Sequence, residues 1–147
     1  MRLEPAPEAA AEIAEDSTLG RSVSAVAVAL ALAPGGIGGS PAPTGVSSAP
    51  DDLAVVTLAR LLPGTFSDAF FRDWRDSHDA AACAPAGGVA GHAQATFGDR
   101  QTFMTTCFEG VRIHHVYLAG PDVLVAVTSL GDERLGERLV AAIPPDG

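Results

Sequence analysis

Apolar and polar positions alternate with period two through the second half of the chain, and helical spacing flanks that region. HAQATF runs into Gly98-Asp99, RQTFMTTCF into Glu109-Gly110, VRIHHVYL into Ala119-Gly120-Pro121-Asp122, and VLVAVTSL into Gly131-Asp132. Turn residues at such regular intervals predict four strands in an antiparallel meander. Ahead of them, Ser67 caps DAFFRDWRDSHDAAA, where Phe70, Phe71, Trp74 and His78 form one stripe and Arg72, Asp73, Arg75 and Asp76 the opposite face. That helix should end near Cys83, because Pro85 and Gly87-Gly88 cannot continue it. Behind the strands, Asp132 caps ERLGERLVAAI, with Leu135, Leu139, Val140 and Ile143 on one side.

The segment LAVVTLARLL follows Asp51 and Asp52, which are N-cap residues by type. Its Val55, Leu58, Leu61 and Leu62 sit at helical spacing before Pro63-Gly64. Helix is the reading taken, although Val55, Val56 and Thr57 are β-branched and also suit a strand. A helix laid on one face of an antiparallel sheet buries both stripes. The expected fold is therefore α+β, order α-α-β-β-β-β-α, a four-stranded antiparallel meander with the helices packed on one face.

Residues 22 to 33, SVSAVAVALALA, are an apolar run preceded by Arg21 and closed by Pro34-Gly35-Gly36. Spanning a bilayer takes about 20 apolar residues, so the run is short for a membrane helix but has the length of a signal-peptide apolar region, and Ala31-Leu32-Ala33 supplies an A-x-A pattern. Against this, Pro34 follows that cut directly, and residues 1 to 20 carry five acids against Arg2. A start near Leu19 would leave a more ordinary leader. The other reading is a helix over residues 3 to 33 of a cytosolic protein, with Glu4, Glu8 and Glu12 on one solvated face. Residues 34 to 50, PGGIGGSPAPTGVSSAP, have too few large apolar groups to offset their ordering entropy and read as a linker. Three segments follow: a leader over 1–33, a linker over 34–50 and a domain over 51–147.

A chain of 147 residues supports one packed core. Its nine basic residues are all arginine, with no lysine and no asparagine, a codon bias rather than a sign of phosphate binding. A formal charge of -9 without a basic cluster excludes a nucleic-acid partner. The two cysteines, Cys83 and Cys107, read as one disulfide clipping the end of the Trp74 helix to the second strand of the meander, worth on the order of 3 to 4 kcal/mol outside a reducing cytosol.

In an alternating strand Val111, Ile113, His115 and Tyr117 share one face and Arg112, His114, Val116 and Leu118 the other, so the adjacent histidines diverge and cannot chelate one ion together. A zinc site could instead draw on Cys83, Cys107, His92 and either His114 or His115, but the close ligand pairs that make such a signal specific are missing. A small metal-dependent hydrolase would use His92 with His114 or His115 and an acid such as Asp99 or Glu109. Cysteine-nucleophile chemistry is closed off if the cysteines pair. There is no G-x-S-x-G, H-E-x-x-H or phosphate-loop motif, so no catalytic residue and no cofactor is assigned. The Gly-rich stretch Ala86 to His92 reads as a helix-to-strand connection, and His78 as a ring packed over Trp74.

DAFFRDWRDSHDAAAC, AGGVAGHA, TTCFEGVRIHHVYL and LGDERLGERLV together resemble uncharacterised exported proteins of high-GC Gram-positive bacteria, over roughly residues 66 to 143. The resemblance implies an extracytoplasmic α+β domain with paired cysteines and no activity to transfer. The reading reached is an exported, non-catalytic binding or structural module, extracellular or in the cell envelope, with a protein or envelope component as partner and no multi-span membrane anchor. The alternatives are the metal-binding protein or hydrolase above and a cytosolic interaction domain.

Overall fold

The computed structural model describes residues 2–8, 10–11, 22–32, 53–97, 100–130 and 135–143. Among the described residues seven strands form one antiparallel sheet: β1 (Arg2–Pro5), β2 (Val23–Leu32), β3 (Leu53–Leu61), β4 (Val89–Phe97), β5 (Arg100–Cys107), β6 (Arg112–Leu118) and β7 (Val123–Leu130). Their order across the sheet is β1-β2-β3-β7-β6-β5-β4. Helix α1 (Asp68–Cys83) carries the chain from β3, inside the sheet, to β4 at its far edge, and α2 (Leu135–Ala142) follows β7.

The expected meander is present as β4 to β7, but the sheet is seven strands wide rather than four, and the first expected helix is β3. Leu53–Leu61 lies between two strands, with Val56 opposite Ala29 of β2 and Val127 of β7. Ladders of backbone hydrogen bonds on both sides and the β-branched run Val55-Val56-Thr57 outweigh the helical spacing of its leucines. The apolar run read as a leader contains β2, paired with β3 from Ala25↔Arg60 to Leu32↔Leu53. The 34–50 linker, the caps Asp51, Asp52 and Asp132, and the candidate acid Asp99 lie outside the described residues.

The helices cover opposite faces of the sheet, not one. Phe71 and Trp74 of α1 pack with Ala59, Leu61, Leu124 and Ala126, whereas Leu135 and Val140 of α2 pack with Ala54, Val116, Leu118, Val125 and Val127. Alternate residues of β7 thus enter different cores, so Leu124 to Val127 are all buried and the polar half of the alternation disappears.

Helix α1 begins where Ser67 Oγ accepts a hydrogen bond from the Phe70 N–H at 3.0 Å. It ends in a 3-10 turn over Ala84–Ala86 and Gly87 in the left-handed region at φ 84°. A disulfide joins its last residue, Cys83, to Cys107 at the end of β5, with the Cα atoms 5.2 Å apart. The Gly-rich connection is pinned beside that bridge: Gly88 N–H donates to Cys83 O, Phe108 N–H to Gly88 O and Glu109 N–H to Ala86 O. Among the described residues, no helix is long and apolar enough to cross a membrane.

Candidate functional site

Where α1 crosses β5 and β6, it brings a carboxylate into the interior. Asp79 lies two turns beyond Phe71 and so falls on the helix's buried side, where it is 1% exposed. Burial pushes its carboxyl group up, and hydrogen bonds from His115, His78 and Thr105, with the nearby His115, more than reverse that and hold it well below the usual carboxylate range. His115 Nε2 donates to Oδ1 at 2.6 Å, His78 Nδ1 donates to the same oxygen at 3.2 Å, and the Thr105 hydroxyl donates to Oδ2 at 2.5 Å. Thr105 Oγ1 in turn accepts from His92 Nδ1 at 3.1 Å, extending the network to the exposed edge strand β4.

These contacts fix the proton positions. A carboxylate only accepts, so His115 carries its proton on Nε2, which leaves Nδ1 bare, buried and without a hydrogen-bond partner among the described residues. Burial lowers the affinity of His115 for a second proton, despite its hydrogen bond to Asp79. The ring stands edge-on to Trp74 at 5.0 Å and to His78 at 5.1 Å between centroids. A general base must reach a substrate proton within hydrogen-bonding distance, and the open nitrogen of His115 is walled off from solvent.

Of the residues anticipated as ligands, His92 and His115 meet at this network, one through Thr105 and one directly. His114 is on the other face, against α2 and edge-on to Phe97 at 5.8 Å. Burial holds its ring below the ordinary value, partly offset by Glu137, and neither ring nitrogen makes a well-formed hydrogen bond among the described residues. Cys83 and Cys107 are bonded to each other and supply neither thiolate ligand nor nucleophile. Glu109 is in the exposed turn after β5, away from the cluster. Sequence reasoning missed Asp79 and Thr105. The traceable signal was Asp79 at i+8 from Phe71, an acid on an apolar stripe.

Beside the network a cleft of about 430 Å³ opens between α1 and β4–β5, with Asp79, His92, Phe103 and Thr105 in its lining. A second hollow of about 340 Å³ is lined by Phe66, Phe71 and Tyr117 among others, and Arg75 and Phe103 line both. Arg75 packs over two rings that meet edge-on, its guanidinium carbon 3.8 Å from the Phe103 centroid and 4.4 Å from that of Phe71. Among the described residues no carboxylate forms an ion pair with it. Burial lowers its pKa, against the pull of Asp76 and Asp79. Compared with known proteins, the chain matches no family model, no curated protein and no solved structure.

Proposed function

We propose that the chain is an exported, non-catalytic binding module whose ligand sits where the two hollows meet, with an anionic group on Arg75 and an apolar portion on Phe103 and, in the second hollow, on Phe66 and Phe71. One observation carries the reading: a guanidinium held in place by two rings at the junction of two hollows, with its N–H donors free of protein acceptors among the described residues. Held that way, the planar fork loses little side-chain entropy on meeting a carboxylate. The sealed His115 and the bonded cysteines favour binding over catalysis.

Export rests on the disulfide, because paired cysteines persist in oxidising compartments. The residues of β2 must then remain in the mature protein for the sheet to be whole. Intact mass after thiol alkylation of natively produced protein should show no adduct before reduction, and two freely alkylated thiols would contradict export. For the cleft, nitrogen-15 NMR titrations with octanoate and benzoate should shift Arg75, Phe103 and Thr105 amides, the neutral amides of both acids should shift them far less, and Arg75→Gln should abolish the difference. Equal responses to acid and amide would refute the anionic seat.

A further inference from the structure

The structure places two imidazoles and one carboxylate around a single point, which a cation could occupy. One ligand atom from each of His78, Asp79 and His115 lies within 4.8 Å of the others. His78 Nδ1 and His115 Nε2 both address the same oxygen, Asp79 Oδ1. With each ring's proton on its other nitrogen, both lone pairs are directed toward that oxygen, and a cation seated beside it would meet all three atoms. His115 has one unmatched ring nitrogen in either tautomer, so that shift adds no new unpaired group to the interior. His78, with its side chain 20% exposed, can turn its second nitrogen toward solvent.

Two of the three separations are near those a tetrahedral ion needs, and the third, between the two ring nitrogens, is within 4.8 Å, leaving at most about 1.5 Å to close. Zinc bonds of 2.0 to 2.1 Å set neighbouring ligand atoms about 3.3 Å apart. His78 and Asp79 are already at 3.2 Å, and the 2.6 Å contact between His115 and Asp79 must open by about 0.7 Å. Outer support is in place, since Thr105 holds Oδ2 and leaves Oδ1 to face the histidines. The disulfide at Cys83, one helical turn beyond Asp79, fixes this end of α1 on β5. Asp79 lines the cleft, which is the side from which an ion would reach it. Two nitrogens and one oxygen suit zinc, cobalt or iron(II) better than calcium or magnesium.

We propose that His78, Asp79 and His115 form a divalent transition-metal site, entered from the cleft and distinct from the Arg75 seat. The test uses the full chain without a histidine tag, dialysed against chelator and titrated with Co²⁺ and then Zn²⁺. The expected result is one equivalent bound, visible-region cobalt absorption of four-coordinate intensity that zinc abolishes, and a zinc-raised unfolding midpoint. His78→Ala, whose fold is checked by circular dichroism, should weaken binding at least about tenfold and remove the zinc-induced shift. His92→Ala should retain one equivalent. No uptake at tenfold molar excess of metal, or undiminished affinity in His78→Ala, overturns the proposal. Ligand shifts at Arg75 in the metal-free protein test the anionic seat separately, so failure of one site is readable apart from failure of the other.

Discussion

Acidification from pH 7.5 to 5.5 should destabilise this protein through two histidines with no part in surface chemistry. His114 and His115 are 1% and 0% exposed, on opposite faces of β6. Burial is the largest influence on each and depresses both below 6.5, with Glu137 opposing it for His114 and Asp79 for His115. In the unfolded chain both rings take up a proton near pH 6.5. The unfolded state therefore binds more protons just below that pH, so stability is complete above about pH 7.5 and declines as the pH falls. Each histidine contributes at most about 1.36 kcal/mol per pH unit, and integration over two units around 6.5 gives a ceiling of about 2.7 kcal/mol for the pair. Asp79 adds no slope there, because its depressed pKa places its contribution above the unfolded carboxylate range and its loss in strong acid. Urea unfolding at half-unit pH intervals, followed by the fluorescence of the single tryptophan, Trp74, would measure the slope. His114→Phe, beside Phe97, should roughly halve it. Stability that is flat or rises toward pH 5.5 would refute the assignment of both rings as buried and neutral.

The disulfide closes a sequence separation of 24, for which loop entropy gives about 3.5 kcal/mol; calorimetry with and without reductant should show the unfolding midpoint falling by roughly 10–20 °C, and a drop of only a degree or two would contradict that contribution. Gly136→Ala would place a Cβ 2.5 Å from His114 Nδ1 and 2.9 Å from Ser129 Oγ, costing about 1–3 kcal/mol in urea titrations, with much of the loss recovered on a His114→Ala background. The single tyrosine, Tyr117, is pushed up to about 12 by burial and by its 2.6 Å hydrogen bond to Asp122, so tyrosinate absorbance at 295 nm should be nearly absent at about pH 10.5 and should appear earlier in Asp122→Asn.

Much of the outer half of the fold was legible because its signals are local. Ser67 and the Phe71–Trp74 stripe specified α1, Gly87 and Pro85 stopped it, and turn residues divided β4 to β7. The divergence of His114 and His115 followed from alternation alone. The N-terminal half was not legible, because its period-two pattern is one of size rather than polarity. In β2, Val26, Val28 and Leu30 alternate with Ala25, Ala27 and Ala29, so each of these positions scores as apolar and no polar alternation marks the run as a strand. β3 carries leucines at helical spacing, and only its two neighbours, far away in sequence, decide against a helix. The two-sided packing was hidden for a related reason: a strand that feeds two cores loses its polar positions, as Leu124 to Val127 did. Asp79 escaped notice because an acid among Arg72, Asp73, Arg75 and Asp76 looks like part of a solvated face until β6 is laid against it.

Every residue of the cluster and of the Arg75 ring contacts comes from α1, β4, β5 or β6, and β3 is the seam that joins those elements to β1 and β2. A chain trimmed to start near residue 53 would thus keep all of those residues while baring one flank of a nine-residue strand. Unmatched amides and carbonyls along that flank form a template for foreign backbone, so the trimmed molecule should pair edge to edge with itself or accept an extended peptide in trans. In the whole chain β2, with β1 beyond it, occupies that flank.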